Sequence, residues 1–198
     1  MSVEANPQAL PTAAGTIVVV VGPSGAGKDS VMSYAARHFA RESCVQFVRR
    51  VITRPADAGG EAHEATDAEG FARRRSEGGF AVSWEAHGLS YGIPAETLAQ
   101  LENGVTLVAN GSRSALPAFV AAYPRLTVVL VTARPDILAE RLAARGRETA
   151  DAIRKRLARA APEIVVAADT VVIDNSGALE DAGEALVSLL AATLAANG

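Results

Sequence analysis

Cysteine is almost absent from this chain of 198 residues. Cys44 stands alone, so no intrachain disulfide and no thiol-rich metal site can be built. Aromatic residues make up 5%, so any core must come mostly from valine, leucine and alanine. Lysine is scarcer still: Lys28 and Lys155 are the only two, and the remaining basic residues are arginines. Of the histidines, His38, His63 and His87, none sits in a recognisable nucleophile–base pattern. No apolar run approaches the length of a membrane span. Residues 1–15 lack Lys and Arg and contain Pro7, Pro11 and Gly15, so they read as a flexible tail rather than a secretory leader. A net charge of −3 gives no reason to expect a nucleic-acid partner. The expectation is a soluble cytoplasmic protein with one domain over 16–198, and monomer and homodimer both stay open.

What the chain does have is a 49% hydrophobic content, arranged as apolar runs that alternate with helix-like segments. The first run, Thr16–Val21, leads into Gly22-Pro23-Ser24-Gly25-Ala26-Gly27-Lys28-Asp29-Ser30. A strand, a glycine-rich turn and a helix start together make a phosphate cradle, because inward N–H groups and the helix dipole both favour an anion. The spacing from Gly22 to Gly27-Lys28 fits the Walker A pattern, with one departure. The pattern calls for Ser or Thr next, and here Asp29 follows.

Downstream, the sequence predicts a helix over 30–41, a strand over 45–53 and an exposed loop over 54–66. A short helix over 67–77 carries Arg73, Arg74 and Arg75, which read best as a solvated face. An antiparallel piece follows over 79–91, then a helix opened by Pro94. Strands over 105–109, 126–132 and 170–173 alternate with helices over 114–122, 135–144 and 148–161, and a helix over 179–196 closes the chain. The predicted fold class is α/β: a phosphate-loop NTPase fold with a parallel sheet flanked by helices. Two departures from the alternation, over 54–92 and near 141–159, read as insertions, where such folds place substrate sites and lids.

Arg141, Arg145, Arg147 and Arg156 flank Gly146 in the second insertion. In a closing lid they would neutralise a phosphoryl group in transfer; on an open helix they would be solvated, and the residues alone leave both readings open. No general base is evident. A phosphate acceptor would not need a strong one, since its second ionisation lies near pH 6.

Several stretches resemble the guanylate kinase fold in order: Gly22–Ser30, Thr53-Arg54-Pro55, Glu61, Phe80, Gly88, Tyr91-Gly92 and 141–148. The resemblance spans about 15–195 and implies a guanylate kinase-like acceptor-binding insertion over about 45–93 and a lid over about 141–159. It also implies catalytic roles for Lys28, Arg141, Arg145 and Arg147. Guanylate kinases carry a guanine-pairing Glu at the place aligned with Val82, and a phosphate-binding Tyr near His63. A valine leaves guanine donors unpaired, which costs about 1–3 kcal/mol, so guanine recognition is not expected.

The stretches 49–55, 80–89, 91–94, 110–113 and 27–30 resemble the ribose 1,5-bisphosphate phosphokinase family of phosphonate breakdown instead. That resemblance implies transfer of the ATP γ-phosphoryl group to a sugar 1-phosphate, with ATP and Mg2+ required. Lys28 and the loop amides would hold ATP, and Asp29 or Ser30 would meet Mg2+. Arg50, Arg54 and Arg113 would bind sugar phosphates, with Tyr91 a further phosphate contact; Trp84 and His87 would line the sugar pocket. Asp174-Asn175 would border the adenine or serve as a plain turn. The alternatives are a nucleoside monophosphate kinase, a non-catalytic guanylate kinase-like binding module, and a sugar kinase using Asp57, Glu61 or Glu85 as base.

Overall fold

The computed structural model describes residues 14–56, 61–144 and 170–197. Its centre is strand β1 (Ile17–Val21), buried at every position. β1 pairs in parallel with β7 (Thr106–Asn110) on one side and β8 (Leu126–Thr132) on the other. β2 (Val45–Phe47) and β9 (Val171–Asp174) extend the sheet to the order β2-β7-β1-β8-β9. Alternate β1 side chains feed two cores, as strand periodicity requires. Val18 and Val20 pack with α1 (Lys28–His38) and the closing helix α6 (Leu179–Asn197) through Val31, Ala35, Leu186 and Leu190. Ile17, Val19 and Val21 pack on the opposite side with Phe119 of α4 (Leu116–Ala122), Tyr123, Val82 and Ile93. The Tyr123 hydroxyl shares a 2.7 Å hydrogen bond with Thr97, and burial pushes its pKa up.

A second sheet stands beside the first, with the order β4-β3-β6-β5. It holds β3 (Val51–Ile52), β4 (Glu64–Ala65), and the hairpin β5 (Phe80–Ala86) with β6 (Leu89–Pro94). This corrects the single strand expected over 45–53. The chain follows β7 through the Val48 N–H, which donates to Val108 at 2.8 Å, and then leaves it. At Val51 it pairs with Gly92 in the second sheet. Apolar alternation records which face a residue presents and not which strand it pairs with, so the change of partner is invisible in the pattern. Arg49 and Arg50 occupy the seam.

Pro94 ends β6 and does not open the next helix; it has no N–H to give a ladder and suits a strand end. Helix α3 runs Glu96–Glu102. Helix α2 (Ala68–Ser76) is capped by Asp67, whose side chain accepts from the Gly70 N–H at 2.7 Å. Of the three arginines on α2, Arg74 is not simply solvated: it pairs with Glu64 at 2.6 Å and lies over the Phe80 ring. Helix α5 (Pro135–Ala144) begins at Pro135, as expected. The tail 1–13, Asp57, Arg145, Arg147, Arg156 and the helix expected over 148–161 lie outside the described residues.

At the end of the main sheet opposite the phosphate loop, Asn197 ties the starts of its three central strands together. Its Oδ1 accepts from Thr16 at 3.1 Å and from Arg125 at 2.9 Å, and its Nδ2 donates to Thr106 at 3.2 Å. No described helix is long and apolar enough to cross a membrane.

Candidate active site

The loop between β1 and α1 is shaped by glycine. Gly27, the residue before α1, has φ +86°, and a Cβ there would come 2.3 Å from the Asn175 amide nitrogen. Gly22 approaches β8 so closely that a Cβ would lie 2.2 Å from the Val131 carbonyl oxygen. No side chain caps α1, which leaves its first N–H groups to the loop. Lys28 folds back over the turn and donates to the carbonyls of Gly22 at 3.0 Å and Pro23 at 3.3 Å. Asn175, buried after β9, donates to the Ala26 carbonyl at 2.7 Å. Arg141 of α5 comes close from the other side, its NH1 atom 3.7 Å from a Cβ built on Gly27 and buried without a partner.

Beyond Lys28 a chain of side chains crosses from loop to second sheet. The Asn110 Nδ2 group, at the end of β7, donates to Asp29 Oδ1 at 2.7 Å and to Glu61 Oε2 at 2.8 Å. Glu61 Oε1 in turn accepts from Arg50, with Nε at 2.8 Å. The Arg50 guanidinium lies 4.9 Å from the Tyr91 ring centre and 5.7 Å from that of Trp84. Those two rings form a cross-strand pair stacked 5.3 Å apart at 7°. Two aromatic faces and one carboxylate therefore fix the arginine in place.

Of these groups Lys28, Asp29, Asn110, Arg50, Trp84 and Tyr91 line one cleft of about 320 Å³. Gly22, Pro23, Ser24, Gly25, Gly27, Lys28, Asp29 and Ser30 line one side; Arg50, Trp84, His87, Tyr91 and Arg113 line the other. Ala26 is fully buried behind the loop. Arg54 is not part of this lining. Its NH2 meets His63 Nδ1 at 3.2 Å, and His63, 6% exposed, contacts the Arg54 carbonyl in return. The expected substrate role of Arg54 has no direct cleft contact behind it. Val82 also stands elsewhere: it is 3% exposed and packs into the core. The register of β5 shifts between Phe80 and Val82.

Sequence reasoning gave Asn110 no role in the site, and it named Asn175 only as a neighbour of the adenine or a turn residue, not as the support of the loop. A signal for Asn110 was present, because a carboxylate in place of the loop hydroxyl needs a donor, and β7 ends beside β1. The oxygen set fits a hard divalent cation: the Asp29 carboxylate, the Ser30 hydroxyl, and Asn110 Oδ1, which is buried and unpartnered. Among the described residues no group of three or more His, Cys, Asp or Glu could cage a metal. A cation here would complete its shell with phosphate oxygens and water.

A protein from Rhizobium etli, ribose 1,5-bisphosphate phosphokinase PhnN, is 54% identical over 181 residues, 91% of this chain and 92% of its own. This chain belongs to the ribose 1,5-bisphosphate phosphokinase family. A second phosphokinase of that name, from Agrobacterium fabrum, is 52% identical over 88% of this chain and 95% of its own. No family model matches. Among solved structures, guanylate kinase from Anaplasma phagocytophilum superposes with a TM-score of 0.67 at 20% identity, covering 91% of this chain and 87% of that one. The phosphokinase family thus shares the guanylate kinase fold, as the sequence resemblance implied.

In this phosphokinase chain His87 sits at the tip of the β5–β6 hairpin with φ +53°, followed by Gly88 at φ +75°. Two left-handed residues make the tight hairpin turn whose twist matches its strands. Glycine takes that backbone without strain, so His87→Gly removes the imidazole alone. The expected result is an unchanged melting temperature, within about 2 °C, and an acceptor KM raised about threefold or more. Thermal unfolding and initial-rate kinetics check it.

Proposed function

We propose that this chain is an ATP-dependent kinase acting on ribose 1,5-bisphosphate, with 5-phosphoribosyl 1-diphosphate and ADP as products. The observation that carries the reading is the single cleft in which a phosphate loop faces Arg50 and Arg113 across an aromatic wall. Family membership supplies the acceptor. Lys28 and the loop amides hold the ATP phosphates, with Arg141 beside them. Mg2+, held at Asp29 or Ser30, would neutralise charge on the bound triphosphate. Arg50 and Arg113 hold the two ends of the bisphosphate, Tyr91 adds a phosphate contact, and Trp84 and His87 border the sugar. Arg145 and Arg147, outside the described residues, would add charge to the same transfer.

The chemistry needs little beyond placement. An oxygen of the 1-phosphate bonds to the γ-phosphorus while the bond from that phosphorus to the β,γ-bridging oxygen breaks, leaving ADP. The attacking oxygen is already ionised near neutral pH, so no base must take a proton from it. Alignment and charge neutralisation by the loop and arginines then account for the rate.

The test is kcat/KM at saturating Mg-ATP for ribose 1,5-bisphosphate, ribose 5-phosphate, GMP and AMP, with products identified by mass. One charge-assisted bond contributes about 1.5–3 kcal/mol, so an acceptor lacking one phosphate is expected to fall at least about tenfold. GMP or AMP equal to the bisphosphate would overturn the assignment in favour of a nucleotide kinase.

A further inference from the structure

We propose that Asn110 is a positioning residue that couples acceptor binding at Arg50 to divalent-cation binding at Asp29, an inference resting on the phosphotransfer reading above. An amide NH2 group has two hydrogens, and here each goes to a different carboxylate: Asp29 Oδ1 at 2.7 Å and Glu61 Oε2 at 2.8 Å. Sharing one nitrogen places those oxygens roughly 5 Å apart. At that distance two carboxylates repel, and burial of Asn110 at 5% exposure limits screening. Two things offset the repulsion: the shared donor between them, and Arg50, which pairs with the far oxygen of Glu61.

The arginine is therefore already committed before any acceptor arrives. A sugar phosphate that binds Arg50 must compete with Glu61 for the same guanidinium. Once it succeeds, the charge of Glu61 is no longer neutralised, while Asn110 still holds that carboxylate beside Asp29. The negative potential at Asp29 rises, and a divalent cation there binds more tightly. By linkage the cation favours acceptor binding by the same factor. The unusual aspartate after the loop lysine and the asparagine ending β7 thus act as a matched pair. An acceptor and a metal-bound nucleotide would reinforce each other's binding, so that neither substrate alone assembles the site.

The experiment measures Mn2+ binding by its electron paramagnetic resonance signal, without ATP, with and without ribose 1,5-bisphosphate. Wild type is expected to bind Mn2+ about fivefold tighter with the acceptor, the lower end of ordinary site-to-site coupling. Asn110→Leu also removes a candidate ligand oxygen and so weakens Mn2+ binding overall; within that variant the ratio of affinities with and without acceptor should fall to within about twofold of one, since Asp29 and Arg50 remain and the link is gone. A purely structural role would lower the melting temperature without removing the dependence of one ligand on the other. Absence of coupling in wild type overturns the proposal. So does coupling retained in Asn110→Leu, which would make it a through-space effect of the acceptor's own charge. If Asn110→Leu does not fold, Glu61→Gln decides, and coupling retained there overturns the proposal. Turnover is assayed in parallel: turnover without coupling rejects this inference alone, and no turnover with ribose 1,5-bisphosphate rejects the functional reading along with it.

Discussion

Lys28→Ala is expected to lower kcat about 10²–10³-fold while leaving the fold intact, the scale seen when one preorganised charge-stabilising donor is removed. In the nucleotide-free state the ammonium is not idle. It donates to the carbonyls of Gly22 and Pro23, at 3.0 and 3.3 Å, and so holds the turn ready for an anion. Its removal therefore has two parts. The loop loses charge-assisted bonds worth about 1.5–3 kcal/mol, partly restored by water at this half-buried position. The transferred group loses a positive partner in the transition state, which water cannot replace as well. A fall in melting temperature of only a few degrees is expected with the collapse in rate. Calorimetry and a coupled ADP assay separate the two, and kcat near wild type would remove the phosphoryl-transfer reading.

Gly27→Ala should be worse for stability and comparable for activity. The residue has φ +86°, where an L side chain costs about 1–2 kcal/mol, and its new methyl would meet the Asn175 amide nitrogen at 2.3 Å. Asn175 cannot swing aside without loss. It is 2% exposed and holds the Ala26 carbonyl, so displacing it strands a buried acceptor for about 1–3 kcal/mol more. A total near 3 kcal/mol corresponds to a melting temperature lower by about 6–12 °C for a domain of this size. Because the loop itself deforms, ATP binding should weaken with it. Retained ATP affinity at a normal melting temperature would show that the loop adapts more freely than its contacts suggest.

The sequence made some of this legible and hid the rest for identifiable reasons. β8 and the start of α5 could be read to the residue, because a continuous apolar run and an opening proline mark them. The phosphate loop was legible because its spacing is local. Arg50, Trp84, His87, Tyr91 and Arg113 were named from resemblance, and they do meet in one cleft. Arg54, named on the same grounds, is turned toward His63 instead. What stayed hidden were contacts between residues far apart in the chain: Asn110 with Asp29, Asn175 with Ala26, and the change of sheet after Val48.

The sheet order has a consequence for how the chain must come together in time. β1 is made first, yet its two neighbours are β7 and β8, and its edge at Thr16 is closed by Asn197. During synthesis the strand that carries the phosphate loop leaves the ribosome long before anything exists to pair with it. Its five apolar residues, all buried in the end, must wait in contact with water or with transient partners. Such distant pairings are slow to close, because the entropy of ordering the intervening chain is lost before the contacts form. The nucleotide-binding strand is thus the earliest to emerge and among the last to be sealed, and the chain's aggregation risk is concentrated in that interval.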